Sequence, residues 1–186
     1  MCQRLDMAGF TIRPERNDEA EVASIADVVT AAFGSPAEAE LVCRIRASDH
    51  YLPSAALVAT DVEDDRVVGH VMVSFVGLRR ADGSLGKVAS LSPLAVHPDR
   101  QRSGIGSALV HAVVAVVDGL GEPLVVLEGS PAYYGRLGFE HSVPLGIAIH
   151  LPDWAPAEAA QLRRLTTYDP SITGTVEYPP AFDDLP

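Results

Sequence analysis

The chain contains the run His97-Pro98-Asp99-Arg100-Gln101-Arg102-Ser103-Gly104-Ile105-Gly106-Ser107-Ala108-Leu109, and this run decides the fold. The residues just before it, Leu91 to Val96, are typical of a strand. After it, apolar residues recur in steps of three and four, which predicts a helix with one buried face; they are Ile105, Leu109, Val113, Val116 and Leu120. A strand therefore leads through a glycine-rich loop directly into a helix.

The start of this predicted helix is suited to an anion. The first backbone N–H groups of a helix have no acceptor within the helix, and they lie at the positive end of the helix dipole. Gly104 and Gly106 have no Cβ, so a phosphate can approach the backbone closely. Arg100 and Arg102 add positive charge at the same place. The sequence therefore predicts a phosphate-binding loop.

Length and charge limit the class of protein. The 186 residues fit a single domain, with a core over about 10–168 and a Pro-rich tail over 169–186. The apolar runs are shorter than the roughly 18 residues that a membrane span needs, and residues 1–10 lack the apolar centre of a signal peptide. A net charge of −11 argues against nucleic acid as a partner, because nucleic acid requires a basic face.

The cysteines and histidines predict neither a disulfide framework nor a metal site. Cys2 and Cys43 lack a metal-ligand spacing, and the six histidines include no pair such as H-x₃-H. We therefore expect a reduced, cytoplasmic location and no metal. The acidic balance is compatible with a cationic amine as substrate, although such a charge more commonly serves solubility. The oligomeric state stays open, with a homodimer as one alternative.

The rest of the pattern predicts the element order β-α-α-β-β-β-α-β-α-β-β. An Asp18 cap and Gly34 bound the first helix, Pro36 lies in the first turn of the second, and Ser130 caps a short helix that ends at Gly138. Strands are predicted at 10–13, 55–60, 66–78, 87–96, 124–127, 139–151 and 162–168, with a loop at 51–54. The fold class is α/β (α+β): a mixed sheet with antiparallel front strands, one parallel crossover and helices on both faces.

The glycine loop also carries a family resemblance. It fits the signature Q/R-x-x-G-x-G/A with the residues Gln101-Arg102-Ser103-Gly104-Ile105-Gly106, and the chain thereby resembles the GNAT superfamily of N-acetyltransferases. The element order and the pair Gly138-Phe139, four residues beyond Tyr134, also agree with that family. The resemblance covers residues 10 to about 168. The runs at 92–96 and 132–136 and the tail around 177–182 are similar to a bacterial subgroup of predicted acetyltransferases without an assigned substrate.

The resemblance implies that acetyl-coenzyme A is a co-substrate. The loop would hold its pyrophosphate through Gln101, Arg102, Ser103, Gly104, Ile105, Gly106 and Ser107. The pantetheine arm would pair with a free strand edge at Leu94, Ala95 and Val96, whose N–H groups would face the acetyl carbonyl. This edge is free only if the strand separates from 124–127. Pro93, which donates no hydrogen bond, is suggestive of a bulge there.

Transfer of an acetyl group to an amine needs a proton acceptor and benefits from a proton donor. Tyr134 matches the donor tyrosine of the family by its spacing to the following Gly-Phe pair, and the neighbouring Tyr133 can serve packing. Glu128 is the first candidate for the base, and an equal interpretation of this residue is a solvated loop carboxylate or a charge at the start of the next helix. His97 and His70 are weaker candidates for the base. A histidine beside a proline in a loop, such as His97, is more commonly not a base, and His70 is compatible with a hydrogen-bonded residue of the sheet. The motif does not define the base.

Two other functions stay open on the sequence. A dinucleotide-binding fold also places glycines after one strand and an acid after the next, which here is Glu128. Against it, Leu109 stands where the third glycine belongs, and the loop from 97 to 103 is long. A non-catalytic acyl-coenzyme A sensor on the same fold would keep the glycine loop and lose the donor, and the presence of Tyr134 counts against it.

Overall fold

The computed structural model describes residues 9–16 and 18–183. Residues 1–8, which include Cys2 and most of the stretch that lacks the pattern of a signal peptide, lie outside this range. Residues 184–186 of the tail also lie outside it. Within the described residues, every helix is too short or too polar to cross a membrane.

Two helices follow the first strand; these elements are β1 (Phe10–Pro14), α1 (Glu19–Phe33) and α2 (Ala37–Arg46). Asp18 caps α1, because its carboxylate accepts a hydrogen bond from the Glu21 N–H at 2.9 Å, and Gly34 ends the helix with φ at 76°. Both end signals are confirmed. The Glu21 carboxylate does not complete a capping box, since it accepts a bond from the Arg13 guanidinium instead.

Four consecutive strands form the antiparallel front of the sheet; they are β1, β2 (Tyr51–Asp61), β3 (Val67–Arg79) and β4 (Leu85–Val96). The predicted loop at 51–54 is wrong, because these residues begin β2. Between Tyr51 and Ala56 the register of β2 shifts against β3. This bulge accommodates Pro53, which has no N–H to donate to the ladder.

The crossover runs through α3 (Ile105–Gly119) from β4 to a parallel strand, β5 (Leu124–Glu128). Residues at helical spacing form the buried side of α3: Ile105, Leu109, Val110, Val113, Val114 and Val117. Leu120 is exposed, since the helix ends before it. The helices α1 and α2 pack on one face of the sheet and α3 on the other, each over its own apolar cluster. The predicted mixed sheet with helices on both faces is confirmed.

The segment after β5 differs most from the prediction. A short helix, α4 (Pro131–Tyr134), follows Ser130, and a 3₁₀ turn then leads to Gly138, as expected, but the Ser130 side chain makes no capping hydrogen bond. The long strand predicted over 139–151 is wrong, because a 3₁₀ turn at 143–145 leaves two-residue strands, β6 (Glu140–His141) and β7 (Ile147–Ala148). The next strand is β8 (Ala160–Arg164), which pairs antiparallel with β5.

The tail adds a strand after the predicted last one, β9 (Gly174–Glu177). It pairs antiparallel with residues 77–79 of β3 and parallel with β7. Because β2 pairs with only the first part of β3, β9 occupies the remainder of that edge. Arg44 of α2 donates hydrogen bonds to the carbonyls of Ala181 and Asp183, at 2.8 and 3.0 Å. The tail is therefore attached both to the sheet and to α2.

A buried ionic network lies between α2 and the sheet. The Glu15 carboxylate accepts two bonds from the Arg46 guanidinium, at 3.0 Å each, and one from the Tyr51 hydroxyl at 2.5 Å. The Nε2 atom of His70 lies 3.1 Å from the same carboxylate. Burial acts to raise the pKa of Glu15, but the bonds from His70, Arg46 and Tyr51 outweigh it and lower the pKa to about 2. This network links the segment after β1 to α2, β2 and β3.

Candidate active site

The glycine loop begins with a 3₁₀ turn (Pro98–Arg100) and enters α3 through two left-handed residues. Arg102 has φ at 60° and Gly104 has φ at 88°. The first hydrogen bond at the start of α3 runs from the Ala108 N–H to the Gly104 carbonyl, at 3.0 Å. Three amides precede it and have no acceptor within the helix: those of Ile105, Gly106 and Ser107.

A cavity of about 390 Å³ lies against this loop, and we refer to it as the loop cavity. Its walls are the loop itself, the end of β4 and Tyr133; the β4 residues are Leu94 and Val96. A Cβ on Gly104 would meet no atom within 4 Å, so the space beside this backbone is open. Open space next to unpaired helix amides fits a pyrophosphate. The geometry of the loop is thus suited to the predicted ligand.

Gly106 has a steric reason to be a glycine in addition to the predicted approach of a phosphate. A Cβ at this position would lie 2.6 Å from the Tyr133 hydroxyl oxygen. The tyrosine therefore occupies the space beside Gly106, and close packing of protein groups already requires glycine here. The Tyr133 ring packs against the apolar cluster under α3, as expected, but the residue also lines the loop cavity.

The side chains of the loop have separate partners. Arg100 lines the loop cavity, but its guanidinium also forms an ion pair with Asp61, which offsets part of the charge that was predicted to act on a phosphate. Arg102 is exposed, and among the described residues no carboxylate pairs with it. Gln101 donates a hydrogen bond from Nε2 to the Val96 carbonyl at 3.2 Å and thereby ties the loop to β4. Ser103 donates from its hydroxyl to the Arg100 carbonyl.

The strands β4 and β5 separate beside the loop cavity. In the described sheet they pair at two positions, Ala89 with Val125 and Ser90 with Val126. Between Leu91 and Leu94 the register of β4 shifts against β3, so β4 carries a bulge around Pro93. The predicted bulge and the predicted separation of the strands are both present.

At the free edge of β4, the backbone N–H and C=O groups of every second residue point away from β3. The His97 N–H donates to the Val68 carbonyl at 2.9 Å, so at this position the backbone points to β3. The direction of the backbone N–H and C=O groups alternates along an antiparallel strand. Those of Ala95 therefore also point to β3, whereas those of Leu94 and Val96 point to the open side. An extended, peptide-like arm would therefore pair with Leu94 and Val96.

A second cavity of about 390 Å³ opens where the strands separate, and we refer to it as the junction cavity. Both predicted catalytic residues, Glu128 and Tyr134, line it. Leu94 lines the junction cavity and the loop cavity, so the two adjoin at the free edge of β4. The remaining wall comes from the helices α1 and α2, including Phe33 and Glu38.

Packing holds Tyr134 in a fixed orientation. Its ring meets those of Tyr133 and Phe139 edge-on, with centroid distances of 4.9 and 5.6 Å. A Cβ on Gly129 would lie 2.4 Å from the Tyr134 ring, so glycine is required beneath it. Burial raises the pKa of the Tyr134 hydroxyl, and the neighbouring Tyr133 acts in the same direction. The phenol is therefore protonated at neutral pH and can act as a donor.

Glu128 ends β5 at the meeting point of several cavities. Besides the junction cavity, it lines one of about 420 Å³ that reaches the tail and one of about 530 Å³ that reaches Trp154. Partial burial of its carboxyl raises the pKa of Glu128, and the Tyr178 hydroxyl opposes this effect. A carboxylate with a raised pKa and few donors is suited to accept a proton.

The two histidines that were weaker candidates for the base lie elsewhere. His70 is fully buried in the Glu15 network. His97 precedes the 3₁₀ turn of the glycine loop, where its Nδ1 accepts a hydrogen bond from the Asp99 N–H at 3.4 Å. Neither of them lines the junction cavity.

The sequence did not predict that the tail reaches this site. The cavity of about 420 Å³, which we refer to as the tail cavity, is lined on one side by Glu128 and Ser90. The segments after β7 and β9 supply further lining residues, among them His150, Tyr178, Phe182 and Asp183. The resemblance of residues 177–182 to the bacterial subgroup was the one available signal for this part of the site.

The sheet topology excludes the dinucleotide-binding alternative. That fold is built from repeated parallel crossovers. In the main path of this sheet, β4 and β5 are the one parallel pair, and the other parallel pairing joins the short β7 to β9.

Comparison with known proteins agrees with this geometry. A family model described as an acetyltransferase (GNAT) domain matches residues 12–142. The uncharacterized N-acetyltransferase YhbS of Escherichia coli strain K12 is 34% identical over 148 residues, which are 78% of this chain and 83% of that protein. The crystal structure of Escherichia coli YhbS in complex with CoA has a TM-score of 0.83 at 29% identity and covers 99% of this chain and 98% of its own. The crystal structure of a GNAT family acetyltransferase from Brucella melitensis in complex with acetyl-CoA has a TM-score of 0.73 at 30% identity. It covers 94% of this chain and 98% of its own. The chain belongs to the GNAT acetyltransferase family.

Proposed function

We propose that the protein is an N-acetyltransferase that transfers an acetyl group from acetyl-coenzyme A directly to an amine, and that the chain is one catalytic domain. One observation carries the proposal: the loop cavity adjoins the junction cavity at the free edge of β4, and the junction cavity contains Tyr134 and Glu128. The relatives in complex with CoA and acetyl-CoA support the choice of co-substrate.

The coenzyme is bound by the glycine loop and the edge of β4. The amides of Ile105, Gly106 and Ser107 and the side chain of Arg102 hold the pyrophosphate, and Gly104 leaves room for it. Gln101 and Ser103 keep the loop in shape through their bonds to backbone carbonyls. Leu94 and Val96 pair with the peptide-like arm, and Ala95 keeps this edge paired to β3. When bound, acetyl-coenzyme A supplies an activated acetyl thioester.

The protons are handled by residues of the junction cavity. Glu128 accepts a proton from the amine, which can attack only when it is neutral. Tyr134 donates a proton to the departing sulfur as the C–N bond forms and the C–S bond breaks. The N–H groups at the free edge of β4 face the carbonyl oxygen, on which negative charge develops.

The acceptor is a small-molecule or lysine-like amine that enters beside Glu128. The three cavities around this residue also contain the carboxylates of Glu38 and Asp183. No lysine or arginine of the described chain lines them. A site with this charge attracts an amine in its protonated form, and the base then removes the proton.

A screen of amine acceptors with acetyl-coenzyme A, followed by thiol release, tests this function. Calorimetry with acetyl-coenzyme A and with NADH accompanies it. We expect heat from acetyl-coenzyme A alone and turnover with at least one amine. Tight binding of acetyl-coenzyme A without turnover of any amine would favour a non-catalytic acyl-coenzyme A sensor. Binding of NADH alone contradicts the proposal.

A further inference from the structure

The largest of the three cavities around Glu128 is mainly apolar. It has a volume of about 530 Å³ and lies between the ends of α1 and β5 and the segment that joins β7 to β8. Apart from Glu38, Glu128 and Ser130, the residues that line it are apolar or glycine. A volume of this size with an apolar lining and few polar groups is typical of a small-molecule site. We refer to it as the aromatic cavity, because Phe33 and Trp154 form part of its wall.

The two aromatic side chains of this cavity remain largely in water. Phe33, the last residue of α1, is 46% exposed, and Trp154, between β7 and β8, is 83% exposed. Neither ring belongs to the two apolar clusters that form the described core. They therefore contribute little to the packing of the fold. Exposed apolar surface that gathers beside a cavity is typical of a ligand-binding groove.

The wall that carries Trp154 is attached next to the candidate base. The Ala155 N–H donates a hydrogen bond to the Pro152 carbonyl at 2.9 Å, which closes a turn around Trp154. Further along, the Gly129 N–H donates to the Ala159 carbonyl at 3.0 Å. Gly129 directly follows the last residue of β5, so this bond ties the segment to the strand that ends in the base. The indole is thus carried on a segment that the sheet holds in place.

The aromatic cavity continues into the junction cavity, and carboxylates line the passage. Phe33, Glu38 and Glu128 line both cavities. Glu38 lies in the first turn of α2, where its carboxylate accepts a hydrogen bond from the Ser35 hydroxyl at 2.9 Å. A helix start stabilises an anion, so Glu38 supplies negative charge at the passage. An ammonium group fits between the two cavities, and the rest of its molecule then extends into the aromatic cavity.

We propose that the acceptor is an amine carried on an apolar, ring-sized group, and that Phe33 and Trp154 are the residues that select it. The inference rests on the proposed function, because it names the substrate class of the same site. The ring of such an amine covers both aromatic side chains and removes apolar surface from water. The second charge of a diamine, or the peptide groups around a lysine, would instead lose water in an apolar cavity.

A comparison of amines tests this selection. We expect kcat/KM for phenethylamine to exceed that for ethanolamine and for putrescine by about 10²-fold, because only the first amine fills the apolar cavity. Trp154→Ala and Phe33→Ala should each reduce this preference by about ten-fold. Leu120→Ala is the matched control, since Leu120 is 50% exposed and lies outside the cavities around Glu128. The control should keep the preference.

Trp154 also gives a readout that does not depend on turnover, because it is the one tryptophan of the chain. Its fluorescence is followed in the protein with and without saturating coenzyme A, which carries no acetyl group to transfer. We expect phenethylamine to move the emission to shorter wavelength in a saturable way and ethanolamine to leave it unchanged. Phe33→Ala, which keeps the tryptophan, should raise the Kd of phenethylamine by about ten-fold.

Phenethyl alcohol, which has the same ring without the charge, tests the role of the carboxylates. It should bind at least about ten-fold more weakly than phenethylamine, because it has no ammonium group to pair with the acidic passage. Glu38→Gln should narrow this difference. If the alcohol binds as tightly as the amine, the assignment of an amine to this cavity is overturned.

The outcomes separate this inference from the proposed function. If ethanolamine and phenethylamine are acetylated with equal kcat/KM, and Trp154→Ala behaves as the wild type, the selection by the two rings is overturned and the acetyltransferase stands. If phenethylamine moves the emission but no amine is acetylated, the apolar amine site is supported and the catalytic function is wrong. An unchanged emission overturns the inference in either case. Thermal unfolding verifies that each variant is folded.

Discussion

Glu15 and Glu128 are carboxylates of the same chain in opposite surroundings. Glu15 is buried with Arg46, Tyr51 and His70 around it, and its pKa is lowered to about 2. Glu128 lies where several cavities meet and shares one of them with Tyr178, and partial burial raises the pKa of Glu128. The comparison shows that partners, more than burial, decide what a carboxylate can do. A fully bonded anion stabilises the fold, whereas burial with few donors raises the pKa of a carboxyl and favours its protonated form.

Replacing each carboxylate by its amide tests this contrast, and we expect the largest effect at Glu128. We expect Glu128→Gln to lower kcat by about 10²–10⁴-fold, because the amide cannot accept the proton of the amine. KM for the amine should change much less, and the acidic limb of the pH–rate profile should flatten. Thermal unfolding should stay close to that of the wild type. An unchanged kcat would move the base to a water chain or to another carboxylate.

The same replacement at Glu15 should act on stability rather than on chemistry. Glu15→Gln leaves the Arg46 guanidinium without its charged partner in a site where the Glu15 side chain is 1% exposed. Removal of one partner from a buried ion pair costs about 3–5 kcal/mol, a large part of a typical free energy of unfolding. Denaturant unfolding measures the loss. The turnover per folded molecule should be retained, and a selective loss of kcat would contradict the structural role.

Tyr134→Phe should lower kcat by about 10²-fold or more while the affinity for acetyl-coenzyme A changes little. The substitution keeps the ring and its edge-on contacts with Tyr133 and Phe139 and removes only the proton donor. Tyr168→Phe, on the opposite face of the sheet, is the matched control and should keep the wild-type rate. Full turnover of Tyr134→Phe with a responsive amine would remove this residue from the mechanism.

The glycine loop is tested by Gly104→Val against Gly121→Val. Both glycines have positive φ, 88° and 81°, and at both a Cβ would meet nothing within 4 Å. The backbone strain of the two variants, about 1–2 kcal/mol, should therefore be similar. Only Gly104→Val should weaken the binding of acetyl-coenzyme A, by about ten-fold or more, because its side chain enters the space for the phosphate. Equal affinities of the two variants in calorimetry would place the pyrophosphate elsewhere.

The pH dependence of stability provides the smallest expected effect. Because the pKa of Glu15 is lowered in the fold, its contribution to stability is fully present above the ordinary value of 4.5 and is lost as the pH falls towards about 2. The free energy of unfolding of the wild type, measured with denaturant, should fall as the pH is lowered through this range. In Glu15→Gln that part of the pH dependence should be absent. If the free energy of unfolding of Glu15→Gln falls with pH as steeply as that of the wild type, other carboxylates account for the acid sensitivity.

The sequence by itself was sufficient for the features that neighbouring residues specify. The Asp18 cap, the Gly34 end and the strand–loop–helix around Gly104 depend on backbone conformations and hydrogen bonds within a few residues. The spacing of Tyr134 from the following Gly-Phe pair, together with the resemblance to the GNAT superfamily, predicted a proton donor at this residue, and Tyr134 lines the junction cavity. Local signals of this kind can be read without the fold, because the groups that interact are close in the chain.

The tertiary structure alone decided which distant groups meet. The strand β9 forms because β3 offers a free edge nearly a hundred residues earlier: the ion pair of Arg79 and Glu177 spans 98 positions. The fold likewise pairs Arg100 with Asp61 and places Tyr178 in the same cavity as Glu128. No local pattern encodes such pairs, because their free energy depends on burial and on partners that only the folded sheet brings together.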